Sequence, residues 1–311
     1  MKFFKKNIGE KGGHAKFYFQ EPNFEIDSHR KFPTIVVCPG GAFEWTSFRE
    51  DEPIALKFVG DGFNVVVVHY ATEGLKAYKV ESKEELPKNP VTMFPESVAE
   101  VADVVAFLRE NTNNYPIDEE NITVMGFSAG GTVAAQLGVF WDKDWLSQKT
   151  GKSNDLMKPN QLMLGYPALD LSMKSTRPLP KSMQNKKNVF TFNAVNYAVT
   201  GKLDPSEEEL DSISPLKNVS DNVPPTFLWH TQEDPLVPVL NSIEFAAELE
   251  KNHVPVELHV FTHGKHGLGL GDYRTGIKKN QTSAQVYKWV DLFEEWLVPN
   301  KTVRGSFYKG I

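Results

Sequence analysis

One stretch constrains the chain more than any other, Ile122-Thr-Val-Met-Gly-Phe-Ser-Ala-Gly-Gly131. Its first half, Ile122-Thr-Val-Met125, reads as a buried strand. Its second half sets Gly126, Ser128 and Gly130 in the spacing Gly-x-Ser-x-Gly. A strand that reverses into a helix within three residues leaves no room for Cβ atoms beside the serine. The serine at the apex must take a strained backbone that turns its hydroxyl outward. The small residues Ala129, Gly130 and Gly131 let the following helix pack closely, and its first turn offers unbonded N–H groups and a partial positive charge. The pattern predicts strand, tight turn and helix, with Ser128 presented at the turn.

The flanking sequence repeats the alternation of apolar runs and amphipathic segments. Thr34–Cys38 reads as a buried strand ending at Pro39-Gly40-Gly41, and Phe63–Tyr70 as the next. Between them Glu52–Val59 reads as a helix with Pro53 in its first turn and Gly60 and Gly62 closing it. Pro95 opens a helix that carries Val98, Val101, Val105 and Leu108 on one face, and Asp118 or Glu119 precedes the serine strand. Further strands are predicted at Gln161–Tyr166, Thr226–Thr231 and Glu257–Phe261, with helices near 243–249 and 284–297. His14–Phe19 alternates and reads as an edge strand. Residues 170–218, rich in Lys, Asn, Ser and Pro, read as a lid or cap insertion. Strands alternating with helices predict one α/β domain over residues 1–311, with a mostly parallel central sheet and helices on both faces. Sites on such sheets lie at the carboxyl ends of strands. The loops after Cys38, Phe127 and Thr231 all fall there.

Bulk properties narrow the class. Forty per cent of the residues are apolar, enough for a sizeable core, and the net charge of −6 is spread rather than clustered. That argues against nucleic-acid and anionic-membrane partners. The single cysteine, Cys38, excludes an internal disulfide and fits a reducing compartment. Met1–Lys6 is basic but lacks the apolar run of a signal peptide, and no stretch approaches the ~18 apolar residues of a membrane span. The expectation is a cytoplasmic chain acting on a small molecule. A homo-oligomer is left open.

A serine hydroxyl is a poor nucleophile at neutral pH and needs a base within hydrogen-bond reach, itself held in one tautomer by a carboxylate. Candidates follow the late strands. His230-Thr-Gln-Glu-Asp234-Pro-Leu-Val-Pro238 offers Asp234, with Glu233 as runner-up. Phe261-Thr-His263-Gly-Lys-His266-Gly-Leu-Gly-Leu270 offers His266, followed by a glycine-rich run, with His263 as runner-up. His230 falls inside a strand and reads as a packed supporting residue. Donors for a developing oxyanion are expected from the N–H of Ala129 and from Pro39-Gly40-Gly41-Ala42-Phe43, where Gly41 is preferred and Ala42 adjacent. Phe43 and Trp45 are candidate pocket walls. Cys38 reads as a core residue. No third ligand stands at metal spacing beside the histidines, so neither metal nor cofactor is expected.

With these residues in view, the chain resembles the α/β-hydrolase esterases of the acetyl-xylan-esterase-like group, the bacterial lipase/esterases or sugar-ester hydrolases. The resemblance runs from about Thr34 to Leu297. Beyond the serine turn it rests on Pro39–Phe43, Arg49-Glu-Asp-Glu-Pro53, Pro224–Thr231 with Asp234 and Val237-Pro238, and Glu257–Phe261 leading to His266-Gly-Leu. It implies the α/β-hydrolase fold, a triad of Ser128, Asp234 and His266 in that chain order, oxyanion donors at Ala129 and the Gly41–Ala42 region, and hydrolysis of short acyl esters, acetyl sugars among them. Two departures are Ala42, where the group carries a third glycine, and residues 170–218, which match poorly. Arg49 and Glu50 are expected to pair near the cleft. Competing expectations are a prolyl-oligopeptidase-like peptidase, for whose extra N-terminal domain the chain has no room, and a non-catalytic binding protein of the same fold.

Overall fold

The computed structural model describes residues 1–78, 80, 83–172 and 194–297. The described strands are β1 Lys2–Ile8, β2 Gly13–Phe19, β3 Phe32–Cys38, β4 Asn64–His69, β5 Ile117–Phe127, β6 Gln161–Gly165, β7 Thr226–Thr231 and β8 Val256–Phe261. They form one sheet in the order β1-β2-β4-β3-β5-β6-β7-β8. β1 and β2 pair antiparallel, as do β2 and β4, and every later pair is parallel. The registers set Cys38 opposite Gly126, Phe127 opposite Gly165, and Gly165 opposite Trp229. The carboxyl ends of β3, β5, β6 and β7 are therefore level, and the loops that leave them converge.

The helices are α1 Glu52–Gly60, α2 Glu96–Glu110, α3 Ala129–Phe140, α4 Asp144–Thr150, α5 Asn154–Met157, α6 Glu207–Ile213, α7 Leu240–Lys251, α8 Ala284–Tyr287 and α9 Trp289–Leu297. Residues 194–200 are helical as well. The two-residue strand period divides the core into layers. Val36, Val66, Val124, Leu164 and Leu228 point to one face, where α2, α3 and α7 cover them with Val101, Val105, Val133, Leu137, Phe245 and Leu249. Ile35, Val37, Val65, Val67, Met125 and Met163 point to the other, against Ile54 and Phe58 of α1, Val286 of α8, and Trp289 and Phe293 of α9. Both faces being covered explains why β3 to β7 read as unbroken apolar runs.

Several expectations change. β2 is not the edge: β1 lies outside it, with Phe4 stacked on Phe17 at 4.6 Å and on Tyr115 at 5.5 Å. β1 carries lysines at 2, 5 and 6, so its charge masked its alternation, and charge of this kind protects an edge from pairing with other chains. β5 begins at Ile117, so Asp118 and Glu119 lie inside it. Pro95 opens α2 as its N-cap, as expected, and the Phe94–Pro95 peptide is cis. The last helix is divided at Lys288. Of the expected lid, residues 173–193 lie outside the described residues. Its described end is packed: Ala194, Ala198 and Val199 join the larger core cluster, Thr92 Oγ1 donates to the Ala198 carbonyl at 2.9 Å, and Leu216 N–H donates to the Leu169 carbonyl at 3.0 Å.

Candidate active site

At the end of β5, Ser128 has φ 52° and ψ −122°, outside the conformations open to an unstrained L-residue. The turn is held from both sides. Ser128 N–H donates to the Gly165 carbonyl of β6 at 3.0 Å, and Thr132 N–H donates to the Ser128 carbonyl at 3.1 Å. The flanking small residues are required by contact. A Cβ on Gly126 would stand 2.2 Å from the Gly130 carbonyl oxygen, and one on Gly130 would stand 2.0 Å from that of Cys38. The elbow and the end of β3 thus touch backbone to backbone, which brings the Gly40–Ala42 loop, the candidate source of oxyanion donors, against the serine.

His266, the candidate base, lies in the loop after β8, and Asp234, the candidate acid, in the loop after β7. Ser128 Oγ lies 2.7 Å from His266 Nε2, and His266 Nδ1 lies 2.7 Å from Asp234 Oδ2. A carboxylate only accepts, so Nδ1 carries the imidazole proton and Nε2 is left to accept from the serine hydroxyl. The Asp234 side chain is buried, and its lone pairs are filled. Oδ1 accepts from the N–H groups of Leu236 at 2.8 Å and Val237 at 2.9 Å, and Oδ2 also has His230 Nε2 at 3.3 Å. His230 is buried within β7. Its Nε2 faces the Val237 carbonyl at 3.0 Å, which fixes the proton there and leaves Nδ1 to accept from Ser242 Oγ at 2.8 Å. Burial alone would raise the Asp234 pKa, but the charge of His266 and hydrogen bonds from His230 and His266 outweigh it and hold the carboxyl well below the usual range. Burial alone would lower His266, but the charge and hydrogen bond of Asp234, with a further contribution from the charge of Glu50, outweigh it and hold the imidazole above its ordinary value.

The loop after β3 lies over the elbow. Its first amide is already engaged: Gly40 N–H donates to Glu50 Oε2 at 2.8 Å. Among the described residues the amides of Gly41 and Ala42 have no backbone acceptor. Gly41 has φ 131°, and a Cβ there would meet the Trp45 carbonyl oxygen at 1.9 Å. Ala42 and Phe43 follow with φ 54° and 61°. Ala42 thus keeps the left-handed backbone that a glycine at this place would adopt more readily. The Ala129 amide, first in α3, is one of the groups a helix leaves unbonded. Of the two pocket candidates, Phe43 is 3% exposed and belongs to the core, whereas Trp45 is 37% exposed beside the loop. Cys38 is buried, and burial pushes its thiol pKa up, away from nucleophilic use.

The structure therefore brings Ser128, Asp234 and His266 together and sets the Gly41–Ala42 loop beside them. It keeps the runners-up apart from them: His263 Nδ1 pairs with Glu233 Oε1 at 2.9 Å, with both side chains more than half exposed. Arg49 is exposed and does not pair with Glu50, whose carboxylate is buried and held by Tyr166 and Gly40. Tyr166 was missed in the sequence except as a strand end. Its ring packs edge-on to His266 at 5.0 Å, and its hydroxyl donates to Glu50 Oε1 at 2.7 Å. The available signal was its place at the carboxyl end of a parallel strand.

Sheet order, elbow and loop placement define an α/β-hydrolase fold, shared over nearly the whole chain with solved hydrolases. Residues 24–249 match the BD-FAE family, and the chain belongs to it. The matched residues include Ser128 and Asp234 and stop short of His266. The chain is 30% identical over 277 residues, 88% of its length, to endo-1,4-beta-xylanase B of Butyrivibrio fibrisolvens. It is 24% identical over 226 residues, 71% of its length, to esterase LipQ of Mycobacterium tuberculosis. It spans 39% and 46% of the lengths of these two relatives. Among solved structures, an acetyl ester-xyloside bifunctional hydrolase from Caldicellulosiruptor lactoaceticus superposes with a TM-score of 0.70 at 27% identity, covering 93% of this chain and 88% of that one.

Proposed function

We propose that the chain is a serine esterase that removes short acyl groups, acetyl esters of xylose-based sugars foremost, through an acyl-enzyme on Ser128. The observation that carries this reading is the unbroken line from Asp234 Oδ2 through both nitrogens of His266 to Ser128 Oγ, with each link 2.7 Å. His266 takes the serine proton as Oγ attacks the ester carbonyl. The amides of Ala129 and of the Gly41–Ala42 turn receive the developing oxyanion. His266 then returns the proton to the leaving alcohol. A water molecule, deprotonated by the same imidazole, releases the acid. Asp234 keeps the proton on Nδ1 and stabilises the imidazolium.

The sugar part of the proposal is supported by the xylanase relative and the acetyl ester-xyloside neighbour. Acyl and alcohol preference is assigned to residues 170–218 as a cap on a single domain. In the test, Ser128→Ala and wild type are assayed on p-nitrophenyl acetate, on longer p-nitrophenyl esters and on acetylated xylo-oligosaccharides. Ser128→Ala is expected to lose ~10³-fold or more in kcat. Near-wild-type turnover by that variant sinks the acyl-enzyme mechanism, and indifference to acyl length or to the sugar sinks the substrate assignment.

A further inference from the structure

One buried carboxylate beside the triad is unused by the mechanism above. Glu50 lies in a 3₁₀ turn, Phe48–Glu50, just before α1, and is 3% exposed. A buried charge is kept only where its oxygens are satisfied. Oε2 accepts the Gly40 N–H at 2.8 Å, and Oε1 accepts the Tyr166 hydroxyl at 2.7 Å. That hydroxyl in turn accepts the Gly269 N–H at 2.9 Å, so its own proton is directed to Glu50. Burial pushes the Glu50 carboxyl above its ordinary pKa, against these hydrogen bonds and the charge of His266, but both oxygens accept and neither donates, the pattern of an ionised carboxylate. Gly40 begins the loop after β3, Tyr166 directly follows β6, and Gly269 is three residues beyond His266 in the loop that carries it. A Cβ on Gly40 would stand 2.7 Å from Glu50 Oε2 and 2.9 Å from Ser128 Cβ, so carboxylate, loop and nucleophile are in one packed cluster.

We propose that Glu50 is a positioning residue for acyl transfer, setting the oxyanion loop and the histidine loop relative to Ser128 and serving as a second anionic partner of His266. This rests on the serine esterase reading above. The groups facing His266 are Asp234 from the loop after β7, with His230 behind it, Ser128 from the elbow, Tyr166 from directly after β6 and Glu50 from the 3₁₀ turn; the Glu233–His263 pair is exposed to solvent. Removing the charge of Glu50 makes the imidazolium harder to form. Neutral imidazole, the form that acts as base, then persists to lower pH.

The experiment compares wild type, Glu50→Gln and Tyr166→Phe on p-nitrophenyl acetate across pH, together with thermal melts and labelling of Ser128 by a fluorophosphonate. A glutamine cannot accept at both oxygens, so one arm of the bridge is lost. Glu50→Gln is expected to lower kcat by ~10- to 100-fold, less than the loss typical of a deleted oxyanion donor, with KM within about threefold. The acidic limb of its kcat/KM profile is expected to move to lower pH. A kcat within threefold of wild type, or a limb that does not move, overturns the proposal. If Glu50→Gln shows no cooperative melt, Tyr166→Phe decides: a folded variant with reduced kcat and unchanged KM supports the bridge, and wild-type kcat overturns it. A wild type that neither labels nor turns over ester overturns the esterase reading along with this one, whereas a wild type that labels beside an unaffected Glu50→Gln overturns this one alone.

Discussion

In the proposed mechanism His266 is neutral when it takes a proton from Ser128 and charged when it gives one to the leaving group. Asp234 and Glu50 favour the charged form more than burial disfavours it. The acidic limb of kcat/KM is therefore expected above the ordinary imidazole value of about 6.5, and a pH profile on p-nitrophenyl acetate measures it. Stability follows the same shifts with opposite signs. The raised His266 pKa contributes stability that is present below the unfolded value and lost as pH rises through the folded one. The depressed Asp234 pKa contributes stability that is present above its unfolded value near 3.9 and lost as pH falls. Asp234→Asn keeps the shape but removes the charge and invites the wrong tautomer, so kcat is expected to drop ~10³- to 10⁴-fold. Glu233→Gln and His263→Ala, made in the exposed pair, are expected to stay within about twofold in kcat, since neither touches the triad. At this scale the sequence was informative. Chain order and strand ends picked Asp234 and His266 over neighbours of the same type one and three residues away. What it concealed was Glu50, because burial and a long-range partner at Tyr166 leave no local signature.

In the elbow, Gly126 and Gly130 are each set by a neighbouring backbone. Gly130 stands where α3 meets the end of β3, and an added Cβ would reach the carbonyl oxygens of Cys38 at 2.0 Å and Pro39 at 2.5 Å. Neither backbone can yield without displacing the oxyanion loop. Gly130→Ala is expected to cost about 3 kcal/mol or more and to reduce kcat in whatever fraction folds, measured by urea unfolding and assay of the soluble protein. Gly60 is the control: it closes α1 without a positive φ, and an added Cβ there meets nothing within 4 Å. Gly60→Ala is expected to stabilise by up to about 1 kcal/mol with kcat unchanged. The periodicity of elements such as β3, α2 and β7 was plain because both sheet faces are covered and apolar runs survive intact. β1 was not, since its lysines at 2 and 6 lie over the rings of Tyr115 and Phe107 while Phe4 turns inward. Such a strand is defined by its partner rather than by its own pattern.

Across the whole molecule, the loop of His266, the proposed base, is tied to α9. Trp289, first residue of α9, is fully buried and stacks on Trp229 of β7 at 5.6 Å between ring centres with an interplanar angle of 13°. Its indole N–H donates to the Gly269 carbonyl at 3.0 Å. Gly269 is also the residue whose amide meets Tyr166, so both polar groups of one glycine in the histidine loop are fixed, one by α9 and one by the residue that follows β6. No sequence pattern announces this. Trp289 reads as one apolar position in an amphipathic helix, and only the packing of α9 under the sheet sets its nitrogen against that carbonyl. Trp289→Phe keeps most of the apolar volume but removes the donor and part of the stack, leaving a buried carbonyl unpaired. The expected loss is about 1–3 kcal/mol of stability in urea unfolding. Because the freed carbonyl belongs to the loop that aims His266, kcat on p-nitrophenyl acetate is expected to fall further than KM changes. A core substitution distant from the site, such as Leu249→Ala in α7, is expected to cost about 2–5 kcal/mol while leaving the kcat of the folded protein near wild type. A Trp289→Phe variant with wild-type kcat would show that the C-terminal helix supports the sheet but not the aim of the base.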